Sequence, residues 1–183
     1  MKSVDISCIK DNYLPITVDT SLSTDDDQFK IQLYRLLSKL AFNKDSSANP
    51  SDAEITNAAL KMKLTTITGG ITNKLLCCNV ENQPPMLVRF FGDNTEIIID
   101  RNRENQIVNI LSQLEFSVHI YGRFKNGRVE QFLPHHSALE PGQMKEPRIM
   151  QLVATKLAQM HHLPIPSSIF DDNNDNNDHS NGQ

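Results

Sequence analysis

No tryptophan, only three cysteines and only seven glycines occur in the 183 residues, and the net charge is −4. No apolar run approaches the roughly 20 residues that a membrane-spanning helix needs. Met1-Lys2-Ser3-Val4-Asp5 lacks the apolar stretch of a secretory signal, so a cytoplasmic location is expected. A negative balance provides no basic field for nucleic acid, and none is expected as a partner. Cys8, Cys77 and Cys78 make no disulfide framework, because Cys77 and Cys78 are neighbours on an expected strand and face opposite ways. No second Cys or His pair stands at zinc-ligand spacing, so no metal ligand is expected.

The length suits one modest core, and the 38% hydrophobic share reflects polar ends around an ordinary middle. Residues 1–23 are mixed and polar and are expected on the surface or loosely ordered. From Thr24 a helix is expected, with Asp25, Asp26 and Asp27 at its positive end and Phe29, Leu33, Leu36, Leu37 and Leu40 on one face. Ser51-Asp52-Ala53-Glu54 is a capping box that opens a second helix through Met62. β-like runs then follow at Leu64–Ile67, Leu75–Val80 and Met86–Phe91, with a helix from Asp100 to Leu114. Two more strands, Val118–Phe124 and Val129–Leu133, flank Lys125-Asn126-Gly127, whose Asn-Gly is a hairpin signal. Pro147 opens a last helix to about Met160, with Ile149, Leu152, Val153, Leu157 and Met160 on its apolar side. The reading is α+β, with a five-stranded antiparallel sheet and one helix between strands three and four. The Asn/Asp-rich stretch from Asp171 to Asp178 has nothing to bury, and 164–183 are expected to be disordered.

Three sets of residues can carry chemistry. The turn in Thr65-Thr66-Ile67-Thr68-Gly69-Gly70-Ile71-Thr72-Asn73-Lys74 is either an ordinary hairpin turn or a phosphate cradle. Glycine lets backbone N–H groups approach an anion, and Thr72 and Asn73 add donors. It is neither a Walker loop nor a triple-glycine loop. Arg89 lies mid-strand among apolar residues, where a charge is costly unless paired, and alternation puts Leu87, Arg89 and Phe91 on one face. A guanidinium there suits polyphosphate. Glu104 shares the inward stripe of its helix and is expected to reach Arg89, as a functional or structural ion pair; otherwise it is solvated beside Arg101 and Arg103. Gln131-Phe132-Leu133-Pro134 is a strand stop or a hinge whose backbone holds the edge of a purine ring. The pairs His135-His136 and His161-His162 are read as surface or helix-end histidines.

Together these residues resemble the choline/ethanolamine kinase family over roughly Leu64 to Leu163. Gly70-Ile71-Thr72-Asn73-Lys74-Leu75 looks like the loop of its ethanolamine kinases, where choline kinases usually carry a serine-asparagine-methionine variant. Leu87-Val88-Arg89, Phe91-Gly92, Asp100-Arg101 and Glu104 follow the family's third strand and helix. Glu130-Gln131-Phe132-Leu133-Pro134 looks like its hinge, and Leu157-Ala158 with Met160-His161 resembles its first large-lobe helix. The resemblance implies a protein-kinase-like small lobe and ATP-dependent phosphorylation of ethanolamine with Mg²⁺. That reaction is the first step of the CDP-ethanolamine route to phosphatidylethanolamine. It assigns Gly69, Gly70, Ile71, Thr72, Asn73, Lys74 and Arg89 to the ATP phosphates, and Gln131, Phe132 and Leu133 to adenine. Gly70, Ile71 and Thr72 are also expected to border the substrate.

The family's His-x-Asp catalytic loop and its later metal-binding Asp are not in this sequence. The expected organisation is an extension at 1–63, an ATP-binding lobe at 64–134, and the start of a large lobe at 135–163. A truncated chain, inactive alone, is therefore expected. Alternatives are a regulatory module that self-associates or binds a full-length kinase, a choline kinase fragment, or a kinase of another family.

Overall fold

The computed structural model describes residues 12–42, 50–68, 73–92, 94–165 and Ile169. The turn residues Gly69 to Thr72, Cys8 and the Asn/Asp-rich stretch lie outside them.

In chain order the elements are β1 (Tyr13–Leu14), α1 (Asp27–Leu40), α2 (Asp52–Lys61), β2 (Lys63–Ile67), β3 (Asn73–Asn79) and β4 (Met86–Phe91). They continue with α3 (Arg101–Gln113), β5 (Ile120–Phe124), β6 (Gly127–Gln131) and α4 (Pro147–His161). The sheet has the order β1-β5-β6-β4-β3-β2. The five expected strands are all present and pair antiparallel.

A sixth strand corrects the expectation for residues 1–23. Tyr13 and Leu14 pair parallel with Arg123 and Phe124, so the sheet is mixed. Two residues carry no periodic signal. Side-chain amides set the pairing instead. Asn12 Nδ2 donates to Leu40 O at 3.2 Å and to Tyr121 O at 2.6 Å. Asn126 accepts from Val18 N at 3.1 Å and donates to Val18 O at 2.8 Å.

α1 begins two residues later than the Thr24 cap implies. Asp26 is the cap, and its carboxylate accepts from Gln28 N and Phe29 N. A charged acceptor at the positive end of a helix is favoured there. The expected face of α1 is buried at Phe29, Leu33, Leu36, Leu37 and Leu40, in one core with Leu76, Cys78, Met86, Val88, Phe90, Phe124 and Val129. The capping box of α2 forms as read, with Glu54 N donating to Ser51 Oγ and Ser51 N to Glu54. Alternation then sends Cys77 and Cys78 to opposite faces of β3, both unbridged.

β6 runs over 127–131 rather than 129–133, because the turn is only Lys125-Asn126 and Gly127 already pairs with Phe124. A Cβ at Gly127 would lie 2.3 Å from Arg89 O, which leaves room for glycine alone.

α4 has no buried residue, and Leu152, Val153, Leu157 and Met160 are all exposed. Its apolar side is thus turned to solvent. No helix among the described residues is long and apolar enough to cross a membrane.

Candidate nucleotide-binding face

The core takes one face of the sheet and leaves Arg89 on the other. In β4, Met86, Val88 and Phe90 are buried in the core, while Leu87, Arg89 and Phe91 point the opposite way. Register places Leu75 and Arg128 beside Arg89, and Glu130 beside Leu87. Val129 belongs to the core, so Arg128 and Glu130 stand on the face of Arg89. α3 adds Arg101 and Glu104 from its first turn.

These side chains form a continuous relay of alternating charge. Arg89 binds Glu130 through two bonds, Nε to Oε1 at 2.8 Å and Nη2 to Oε2 at 3.3 Å. Arg128 Nε reaches the same Oε1 at 2.6 Å, and its Nη1 donates to Glu104 Oε1 at 3.0 Å. Arg101 Nη1 donates to Glu104 Oε2 at 2.6 Å, and Arg101 Nη2 to the Thr95 hydroxyl. Phe91 lies between two of these cations, with its ring centroid 4.3 Å from the Arg101 guanidinium carbon and 6.0 Å from that of Arg128. Cation–π contact of this kind adds to both.

This arrangement corrects the expected Arg89–Glu104 pair. The partner of Arg89 is Glu130, and Glu104 holds Arg101 and Arg128 instead. The charged alternation Arg128-Val129-Glu130 in β6 is the sequence signal for it, hidden while Glu130 is read only as the start of a hinge.

The guanidiniums decide the protonation. Being buried raises the Glu130 carboxyl, but hydrogen bonds from Arg89 and Arg128 outweigh that and hold its pKa below the ordinary 4.5. Glu104 is lowered in the same way, burial being offset by Arg101 and Arg128. Two ionised carboxylates thus face three guanidiniums, and the cluster carries one surplus positive charge. Glu130 occupies Nε and Nη2 of Arg89, so Nη1 is the donor without a bond among the described residues.

The other expected site residues divide. Asn73 pairs with Phe91 and shares the Arg89 face. Lys74 pairs with Phe90 and turns to the core side, its Nζ 5.6 Å from the Phe29 ring centroid. At the hinge, Gln131 N donates to His119 O at 2.8 Å and Phe132 N to Pro85 O at 3.4 Å. Leu133 is the hinge residue whose N–H has no backbone partner among the described residues. His135 then takes a left-handed backbone conformation, at φ 63°. All four paired histidines are exposed. Among the described residues, no group of three or more His, Cys, Asp or Glu can hold a metal ion.

The choline/ethanolamine kinase family model matches residues 64–177, more than half of the chain. A probable ethanolamine kinase of Arabidopsis thaliana is 38% identical over 106 residues, covering 56% of this chain and 28% of that protein. Ethanolamine kinase 2 of Homo sapiens is 36% identical over 104 residues, 56% of this chain and 27% of the relative. A choline kinase of Saccharomyces cerevisiae is 31% identical over 157 residues, 85% of this chain and 26% of the relative. The chain therefore spans about a quarter of the length of these curated relatives. Among solved structures, a Plasmodium vivax ethanolamine kinase superposes with a TM-score of 0.56 at 24% identity, over 76% of this chain and 41% of the other. That likeness shows the fold, an α+β, protein-kinase-like one.

Proposed function

Because the chain belongs to the choline/ethanolamine kinase family, we propose that it supplies the ATP-binding lobe of an enzyme that phosphorylates ethanolamine. The product, phosphoethanolamine, opens the CDP-ethanolamine route to phosphatidylethanolamine. The observation that carries this reading is Arg89, which is clamped by Glu130 on the sheet face opposite the core and keeps one guanidinium nitrogen unbonded among the described residues. A fixed cation with an open donor suits polyphosphate, since positioning and charge stabilisation dominate phosphoryl transfer. Gly69 to Thr72 cradle the phosphates in this reading, with Gly70, Ile71 and Thr72 also bordering the acceptor. Asn73 adds a donor from the face of Arg89, and Lys74 follows it on the other face of β3. Leu133 offers the backbone N–H for adenine's edge.

The described residues contribute binding rather than proton transfer. Glu104 and Glu130 are the carboxylates of the relay, and both are held ionised by guanidiniums, which makes them poor bases. For the Mg²⁺ that such chemistry uses, the described residues hold no group of three or more His, Cys, Asp or Glu. A second reading, choline as acceptor, is favoured by the yeast choline kinase, whose match extends over 85% of this chain.

ATP titrated into the purified chain tests the proposal. Arg89→Ala is expected to weaken ATP by about 10- to 150-fold, the equivalent of about 1.5–3 kcal/mol for a charged hydrogen bond, and to leave adenosine unchanged. Equal ATP affinities would remove Arg89 from the site. In the same samples, ethanolamine rather than choline is expected to tighten ATP binding, and the reverse favours the second reading. Turnover by these 183 residues at roughly 1–100 per second would show that they supply the base as well.

A further inference from the structure

We propose that Glu104 and Arg128 are positioning residues that, through Glu130, set the guanidinium of Arg89 according to where α3 stands. The inference rests on the reading of Arg89 as the polyphosphate contact and adds the element that controls it.

The geometry is that of a lever with one shared atom. Glu130 Oε1 receives both Arg89 Nε at 2.8 Å and Arg128 Nε at 2.6 Å. Arg128 therefore fixes the rotation of the carboxylate that clamps Arg89. With a side chain only 9% exposed and two carboxylates in hand, Arg128 has no open edge for a nucleotide. Its influence on a ligand has to pass through Glu130 and Arg89.

The far end of the lever is α3. Glu104 sits in the first turn of α3 and holds Arg128 at 3.0 Å. α3 buries only Asn105 and Ile110, so apolar packing does little to anchor its N-terminal turn. Among the described residues the contacts of that turn include the Glu104–Arg128 bond, the Arg101–Thr95 bond and the stacking of Arg101 on Phe91. A helix end held by polar contacts shifts more cheaply than one held by a packed face. Movement of α3 away from the sheet would withdraw Glu104, release Arg128 and let Glu130 turn. Arg89 would then lose the planar, two-bond clamp that aims Nη1. A direct Glu104–Arg89 pair would report only contact with α3. The relay instead also ties Arg89 to β6, the strand that runs into the Phe132–Leu133 hinge.

Nucleotide titrations of three variants and one spectrum test this. Glu104→Gln keeps the shape and removes the charge. It is expected to weaken ATP about fivefold or more, the lower end of coupling between sites, and to leave adenosine unchanged. Combined with Arg89→Ala, the same change is expected to have no further effect, because it acts only through Arg89. A loss that persists in the Arg89→Ala background, or that falls equally on adenosine, would overturn the relay. Arg128→Lys is the second variant, since an ammonium keeps the charge but not the fork that spans two carboxylates. It is expected to behave as Glu104→Gln does, with the same readouts. If the unaltered chain binds no ATP, the nucleotide reading falls, and the ¹⁵N signal of Arg89 Nε–H still decides the relay. That signal is expected to shift and exchange faster with solvent in both variants, and an unchanged signal would overturn the proposal.

Discussion

Glu130→Ala is expected to lower the folding free energy by about 3–5 kcal/mol, the cost of breaking a buried ion pair from one side. The side chain is 5% exposed and serves Arg89 and Arg128 together. Its loss leaves Arg89 without its partner and Arg128 with Glu104 alone. An exposed pair such as Arg35–Asp52, whose side chains are 51% and 88% exposed, sets the contrast, since its removal is expected to cost no more than about 1 kcal/mol. Urea unfolding of both variants checks the difference. A Glu130→Ala loss as small as that of Asp52→Ala would mean that the relay is solvated in solution. The pH dependence follows from the same residues. Both Glu104 and Glu130 have folded-state pKa values below the ordinary 4.5, so their contribution is complete above that value. It is lost as pH falls through the lowered folded values. Stability is therefore expected to fall on acidification below about pH 4.5 and to fall less steeply in Glu130→Gln.

Phe90→Ala is expected to cost a similar amount, about 3–5 kcal/mol, from lost burial and the cavity left behind. Phe90 is 1% exposed, with its ring centroid 6.2 Å from that of Phe29 in α1 and 5.7 Å from that of Phe124 in β5. It thus joins the first helix to β5 on the core face of the sheet. It is also the immediate neighbour of Arg89 on the opposite face, so a cavity there loosens the strand that carries the site. Phe90→Leu refills most of the volume, and it is expected to lose well under half as much in the same urea experiment. Equal losses would point to the ring–ring contacts rather than the cavity as the source.

The elements with a strong local signal were legible in the sequence. α1 shows its buried face at helical spacing, α2 its capping box, and β4 the alternation that separates Arg89 from Phe90. The hairpin at Asn126 was legible too, because turn chemistry is local. That Arg89 needs a partner also followed from the sequence, since a charge in a half-buried strand is costly alone. Which partner it takes did not. Glu104 and Glu130 lie 15 and 41 positions from Arg89, and the choice depends on the β4–β6 register and on the distance of α3 from the sheet. β1 was decided the same way, by Asn12 and Asn126 bonding to backbone about 108 residues away. Local propensity fixes helices, strands and turns through interactions a few residues long. Ion-pair partners and a two-residue strand are set by contacts that exist only once the sheet has closed.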